Sequence, residues 1–144
     1  MSDSTLIDGV RPELVDQMVA ACVKTYKQGI ACMYNGVCAY QIPDVAGVHC
    51  TIGHLMTEDE LTRYGRVNGG IHTLIRDYKF RPDLAPPEIE CLSMLQDAHD
   101  DENLDESQSW SDGFAIELKQ SMKIMAPNVW QKIQQALIKE GAKL

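Results

Sequence analysis

The sequence predicts a mainly helical α+β domain, with five to six helices around one small antiparallel β-hairpin. Three observations carry that expectation. Apolar residues recur at helical spacing through most of the chain beyond residue 11. Proline and glycine fall where those periodic stretches begin and end. Only residues 31–52 carry the alternating, turn-rich pattern of paired strands. With 144 residues, 44% of them hydrophobic, the chain is expected to form a single domain over 1–144. A domain of that size buries roughly 68% of the surface its unfolded chain exposes.

In chain order, residues 1–10 read as a flexible arm. Pro12 suits the first turn of a helix, and Glu13 and Asp16 complement its positive end. Leu14, Val15, Met18, Val19, Cys22 and Tyr26 share one face of it, and Gly29 supplies the stop. Residues 37–42 and 48–52 flank the turn-rich 43–47 and read as the hairpin, with a third short strand at 31–34 before Asn35-Gly36. Thr57-Glu58-Asp59-Glu60 is a capping box that opens a short helix ending near Gly65. Ile71, Leu74, Ile75 and Tyr78 mark a further helix closed by Pro82, and Pro86-Pro87 begins another with Ile89, Leu92, Leu95 and His99 along one face. Trp110, Phe114, Leu118, Met122 and Met125 form the next stripe, stopped by Pro127. Asn128 is the expected cap of a last helix in 128–144 carrying Val129, Trp130, Ile133 and Leu137. That helix either docks on its own domain or is an interaction element, with Trp130 offered to a partner or to a second copy of the chain.

The net charge of −8 is strongly localised. Seven acids and no Lys or Arg lie between Asp97 and Asp112, and outside that window 14 acids face 13 bases. This is a local field on a nearly neutral body. It speaks against direct nucleic-acid binding, which needs cations against phosphate. No apolar run approaches the ~18 residues of a membrane span, and Met1-Ser2-Asp3 opens no secretory signal. Five cysteines at irregular spacing argue for free thiols in a cytoplasmic protein.

Three blocks carry a resemblance. Cys38-Ala39-Tyr40-Gln41-Ile42-Pro43-Asp44 is followed by Cys50-Thr51-Ile52-Gly53-His54-Leu55, and later by Leu95-Gln96-Asp97-Ala98-His99-Asp100 and a Trp-led helix from Trp110. Their order resembles a group of small uncharacterised bacterial and bacteriophage proteins with Cys-x-Tyr-Arg-x-Pro-Asp-Gly, Cys-Ala-x-Gly-x-Leu and Leu-Gln-x-x-His-Asp blocks. This chain departs from the group with Gln41 in place of Arg and Thr51 in place of Ala. The resemblance implies a phage-associated or accessory protein of the cytoplasm that works by binding a host protein.

Several residue sets bear on chemistry. Cys50-x-x-x-His54, with Cys38 and His99 as completions, has zinc-compatible donors. The same residues would serve a thiol hydrolase with Cys50 as nucleophile. The competing account makes Cys38 and Cys50 small buried hydrophobes and His99 a core histidine. Asp101-x-Asn103-x-Asp105 begins like a calcium loop, but Glu106 stands where that loop requires glycine. His49-x-Thr51 is half of a two-histidine phosphoesterase signature without its twin, and Arg66 with His72 is a faint echo of a ribonuclease pair. No complete catalytic set emerges. The function expected from sequence is therefore non-enzymatic: binding, and inhibition, of a basic or nucleic-acid-binding host protein. The surface expected to do this is Asp97, Asp100, Asp101, Glu102, Asp105 and Glu106 with Trp130, and no cofactor is required. A zinc-dependent or thiol hydrolase on Cys38, Cys50, His54 and His99 is the alternative.

Overall fold

The computed structural model describes residues 5–30, 33–34, 37–38, 41–42, 45–65, 67, 70–100 and 109–144, through the backbone alone for the residues between 33 and 48 and for Asp100. It is mainly helical. The helices are α1 (Pro12–Gln28), α2 (Thr51–Leu55), α3 (Glu58–Tyr64), α4 (Ile71–Tyr78), α5 (Pro86–Asp100), α6 (Trp110–Met125) and α7 (Pro127–Lys139). Between α1 and α2 the described residues include the short strands β1 (Met33–Tyr34), β2 (Val37–Cys38), β3 (Gln41–Ile42) and β4 (Val45–His49).

The hairpin expected of 37–42 against 48–52 is not formed. Instead β1 pairs with β2, and β3 pairs with β4 with Gln41 opposite His49, Ile42 opposite Val45 and an irregular register between them. The backbone leaves the extended conformation just after Cys50 (φ −72°, ψ 172°), whose thiol accepts a hydrogen bond from the Gly53 N–H. Cys50 is thus a helix N-cap, and Thr51 and Ile52 begin α2, the helix that the periodicity missed. Its five residues are too few to show a helical period.

α1 is the central strut, packed against α2, α5, α6 and α7. It contributes Val15, Met18 and Cys22 to a core that Leu92, Phe114 and Ile133 complete from α5, α6 and α7. Gly29 ends α1 in the left-handed region (φ 76°), as its sequence position predicts. The Thr57 capping box also forms, with Thr57 Oγ1 accepting from the Glu60 N–H and Glu60 accepting from the Thr57 N–H. α4 closes earlier than Pro82, at Lys79 (φ 57°), so that fully buried Phe80 can turn inward before Arg81 (φ 42°).

Two carboxylates, Glu88 buried and Asp8 partly exposed, organise the helix N-termini. Glu88 is 1% exposed and accepts from the Ala85 N–H at 2.8 Å, the Arg11 N–H at 3.1 Å and the Arg11 Nε–H at 2.8 Å. Ala85 precedes α5 and Arg11 is the N-cap of α1, so one carboxylate serves the start of both helices. Burial pushes the Glu88 carboxyl up, but the Arg11 guanidinium and the two backbone N–H groups outweigh it and hold the carboxyl below its usual value. Asp8 does the same for α7: its carboxylate accepts from the N–H groups of Asn128 (2.7 Å) and Val129 (2.8 Å) and from the Asn128 side-chain amide (2.9 Å). Ala126 therefore takes the N-cap position and Pro127 begins α7, rather than Asn128 capping it after a proline stop.

This arrangement corrects one expectation and resolves another. Residues 7–10, read as part of a flexible arm, are docked: Ile7 and Val10 exchange backbone hydrogen bonds of 2.8 and 2.9 Å, and Val10 is fully buried. The helix in 128–144, open between docking on its own domain and presenting Trp130 to a partner, lies on α1 and α6, and Trp130 is 4% exposed. Its indole is core, placed there by the same stripe that buries Val129, Ile133 and Leu137. Among the described residues, no helix is long and apolar enough to cross a membrane.

Candidate functional site

The sequence-predicted residues fall into two places. The first is the root of the acidic segment. α5 ends at Asp100 and α6 starts at Trp110, and the two ends meet. His99, 1% exposed, faces Trp110 edge-on with ring centroids 5.4 Å apart, and Trp110 stacks on Phe114 at 5.7 Å. Ser109 caps α6 by accepting from the Asp112 N–H at 3.1 Å. Ser111 Oγ donates to the Tyr26 carbonyl at 2.6 Å, and the Tyr26 hydroxyl donates to Asp112 at 3.1 Å, which ties the start of α6 to α1. Burial, and then Asp112, push the Tyr26 hydroxyl pKa up.

Asp97 stands on the exposed side of α5. Asp101, Glu102, Asp105 and Glu106 lie outside the described residues, as does the side chain of Asp100. Ser109 and Asp112, the ninth and twelfth places counted from Asp101 in the calcium-loop pattern, are engaged in the α6 cap. Trp130 is not brought to this surface.

The second place is the junction of α1, β4 and α2. Gln28, near the end of α1, binds the His49 backbone on both sides, its Oε1 accepting from the His49 N–H and its Nε2 donating to the His49 carbonyl, each at 3.0 Å. The same Oε1 lies 2.7 Å from His54 Nε2. An amide oxygen can only accept, so Nε2 carries the His54 proton and Nδ1 holds the lone pair. His49 and His54 rings meet edge to face at 5.1 Å. Burial, and then the charges of His49, Lys24 and His99, bring the His54 pKa down to about 4. His54 is therefore a neutral imidazole at physiological pH.

Cys50 is fully buried with its sulfur engaged in the α2 cap. That favours a structural thiol, since a nucleophile must reach substrate. The Cys38 side chain lies outside the described residues. Among the described residues, no three His, Cys, Asp or Glu side chains are placed together to hold a metal ion. His72 is exposed on α4, and Arg66 is outside the described residues. Gln28, the organiser of this junction, was not singled out from sequence. A glutamine at the end of a helix carries no signal of what its amide will reach 21 and 26 residues away.

Comparison with known protein families, curated proteins and solved structures returns no match.

Proposed function

We propose that the chain is a non-enzymatic binding protein, phage-associated or accessory, that engages and inhibits a basic host protein of the cytoplasm through its acidic segment. The observation that carries this reading is the fixed root of the segment. Residues 97–112 hold seven acids and no Lys or Arg, and the helices on either side are pinned by the His99–Trp110–Phe114 stack and by Tyr26. A local concentration of carboxylates steers a complementary surface and makes association salt-sensitive. The buried, cap-engaged Cys50 and the neutral His54 give the hydrolase alternative no supporting geometry.

The test is capture from bacterial lysate at low and high salt, with wild type beside an Asp100→Asn/Asp101→Asn/Glu102→Gln variant of equal melting temperature. A stoichiometric partner that is released by salt and lost with the variant supports the reading. A partner indifferent to both refutes the role of the segment.

A further inference from the structure

We infer that the polar cavity between α3 and the connection from α4 to α5 binds a phosphate group, with Arg63 and Lys79 as its ligands. The site uses no residue of the acidic segment and stands independently of the binding reading above.

The cavity holds about 300 Å³ and is lined by Asp59, Glu60, Arg63, Tyr64, Lys79 and Arg81. That volume lies at the lower end of ligand pockets, ~300–1,000 Å³, and suits a phosphate carrying at most a small organic group. Three cations thus share one cavity in a chain whose net charge is −8. They are not equivalent. The Arg81 guanidinium is committed: Nε and Nη2 donate to the two Glu60 oxygens at 2.8 and 2.7 Å, and Nη1 donates to Gln17 Oε1 at 2.8 Å. Glu60 also accepts from the Thr57 N–H, so this pair is a neutral wall. The Arg63 and Lys79 side chains are exposed and make no hydrogen bond or ion pair among the described residues. Against these two cations the lining leaves one acid, Asp59.

The excess positive charge selects an anion. A phosphate monoester, at roughly −1.5 to −2, gains nearly twice what a single carboxylate would from the same cations. Arg63 offers a planar fork of donors and Lys79 a point charge, two complementary ways of holding phosphate oxygens. Both start from a fixed base. Arg63 precedes Tyr64 and Lys79 follows Tyr78; the Tyr64 hydroxyl donates to the Tyr78 carbonyl at 3.3 Å, and its ring meets Phe80 edge-on at 5.6 Å. The backbone adds a second sign. Lys79 (φ 57°) and Arg81 (φ 42°) are both left-handed, on either side of fully buried Phe80. Lys79 ends α4 where glycine is the ordinary occupant. Glycine would make that turn without strain, but it would leave the cavity one cation short.

The test is titration of the full chain with inorganic phosphate and with ribose 5-phosphate, beside acetate and chloride at equal ionic strength, followed by amide chemical shifts of isotope-labelled protein. Phosphate should give saturable shifts at residues 59–64 and 78–81, with acetate weaker and chloride without effect. Arg63→Gln and Lys79→Gly should each weaken phosphate about fivefold or more. Lys132→Gln, an equal loss of charge at an exposed position of α7, should leave it unchanged. Because Lys79→Gly relieves a left-handed lysine, its melting temperature should hold or rise while binding falls, which separates a lost ligand from a damaged fold. Tighter binding of ribose 5-phosphate supports the site and assigns it to a phosphorylated small molecule; equal affinities support it and assign it to free phosphate. Shifts that chloride reproduces, binding indifferent to Arg63→Gln and Lys79→Gly, or equal weakening by Lys132→Gln overturns the inference.

Discussion

Glu88 holds two helix N-termini with one carboxylate, which makes Glu88→Ala the most informative single perturbation of the fold. The substitution strands three donors: the N–H groups of Ala85 and Arg11 and the Arg11 Nε–H. The Arg11 side chain is 36% exposed, so its guanidinium regains water and keeps its second carboxylate, Asp83 at 3.0 Å. The loss is carried mainly by the two backbone N–H groups. At about 1–3 kcal/mol for each unsatisfied buried donor, the expected cost is ~3 kcal/mol. For a chain of this length that lowers the melting temperature by roughly 6–12 °C. Urea unfolding followed by circular dichroism at neutral pH measures it directly. Arg11→Ala should cost at least ~1 kcal/mol less in the Glu88→Ala background than alone, because the two residues share one network. The pH dependence has a fixed sign. The carboxyl is held below its usual 4.5, so the folded state takes up a proton less readily than the unfolded one. The stabilisation is complete above that value and is lost as pH falls through the lower, folded value. A cost for Glu88→Ala below ~1 kcal/mol, or no coupling to Arg11, would refute the double-cap reasoning.

Three further outcomes are expected. The depressed His54 pKa means that the unfolded chain binds a proton from 6.5 downward while the folded chain resists it to about 4; wild type should lose about 2–3 kcal/mol across that window, and His54→Gln should flatten the loss in a pH series of denaturant melts. Trp130→Ala should cost about 3–5 kcal/mol in the same melts yet leave partner capture per folded molecule unchanged, because the indole is core. Gly9 has φ +83°, and a Cβ there would lie 2.8 and 2.9 Å from the Pro87 ring; Gly9→Ala should cost about 2–3 kcal/mol, and a Pro87→Ala background should return part of it in calorimetry.

The helical elements were legible because their signals are local. Leu14, Met18 and Cys22 announce α1 by spacing alone, and the Thr57 box announces α3 because both partners lie within four residues. Cys50 misled because a small apolar residue in an alternating stretch reads as strand, and its thiol as a cap depends on a three-dimensional turn. Asp8, Glu88 and Gln28 were silent for a different reason. Each has a decisive partner about twenty residues away or more (Asn128, Arg11 and His49), and an isolated carboxylate or amide looks the same whether solvated or buried. Trp130 shows the converse ambiguity. An aromatic on an amphipathic helix has the same pattern whether the stripe faces its own domain or another protein, and only the packing of α7 on α1 decides.

The clasp between Asp8 and the first turn of α7 also sets an order in time. A chain emerging from the ribosome presents residues 7–10 long before residues 128 and 129, whose amides their carboxylate needs. Until those are made, the turn at Gly9 is waiting for its partner, and the buried Val10 has an incomplete setting. Damage to the far side of the clasp, such as cleavage before Pro127, should therefore surface at the opposite end of the sequence, as proteolytic sensitivity around residues 5–10.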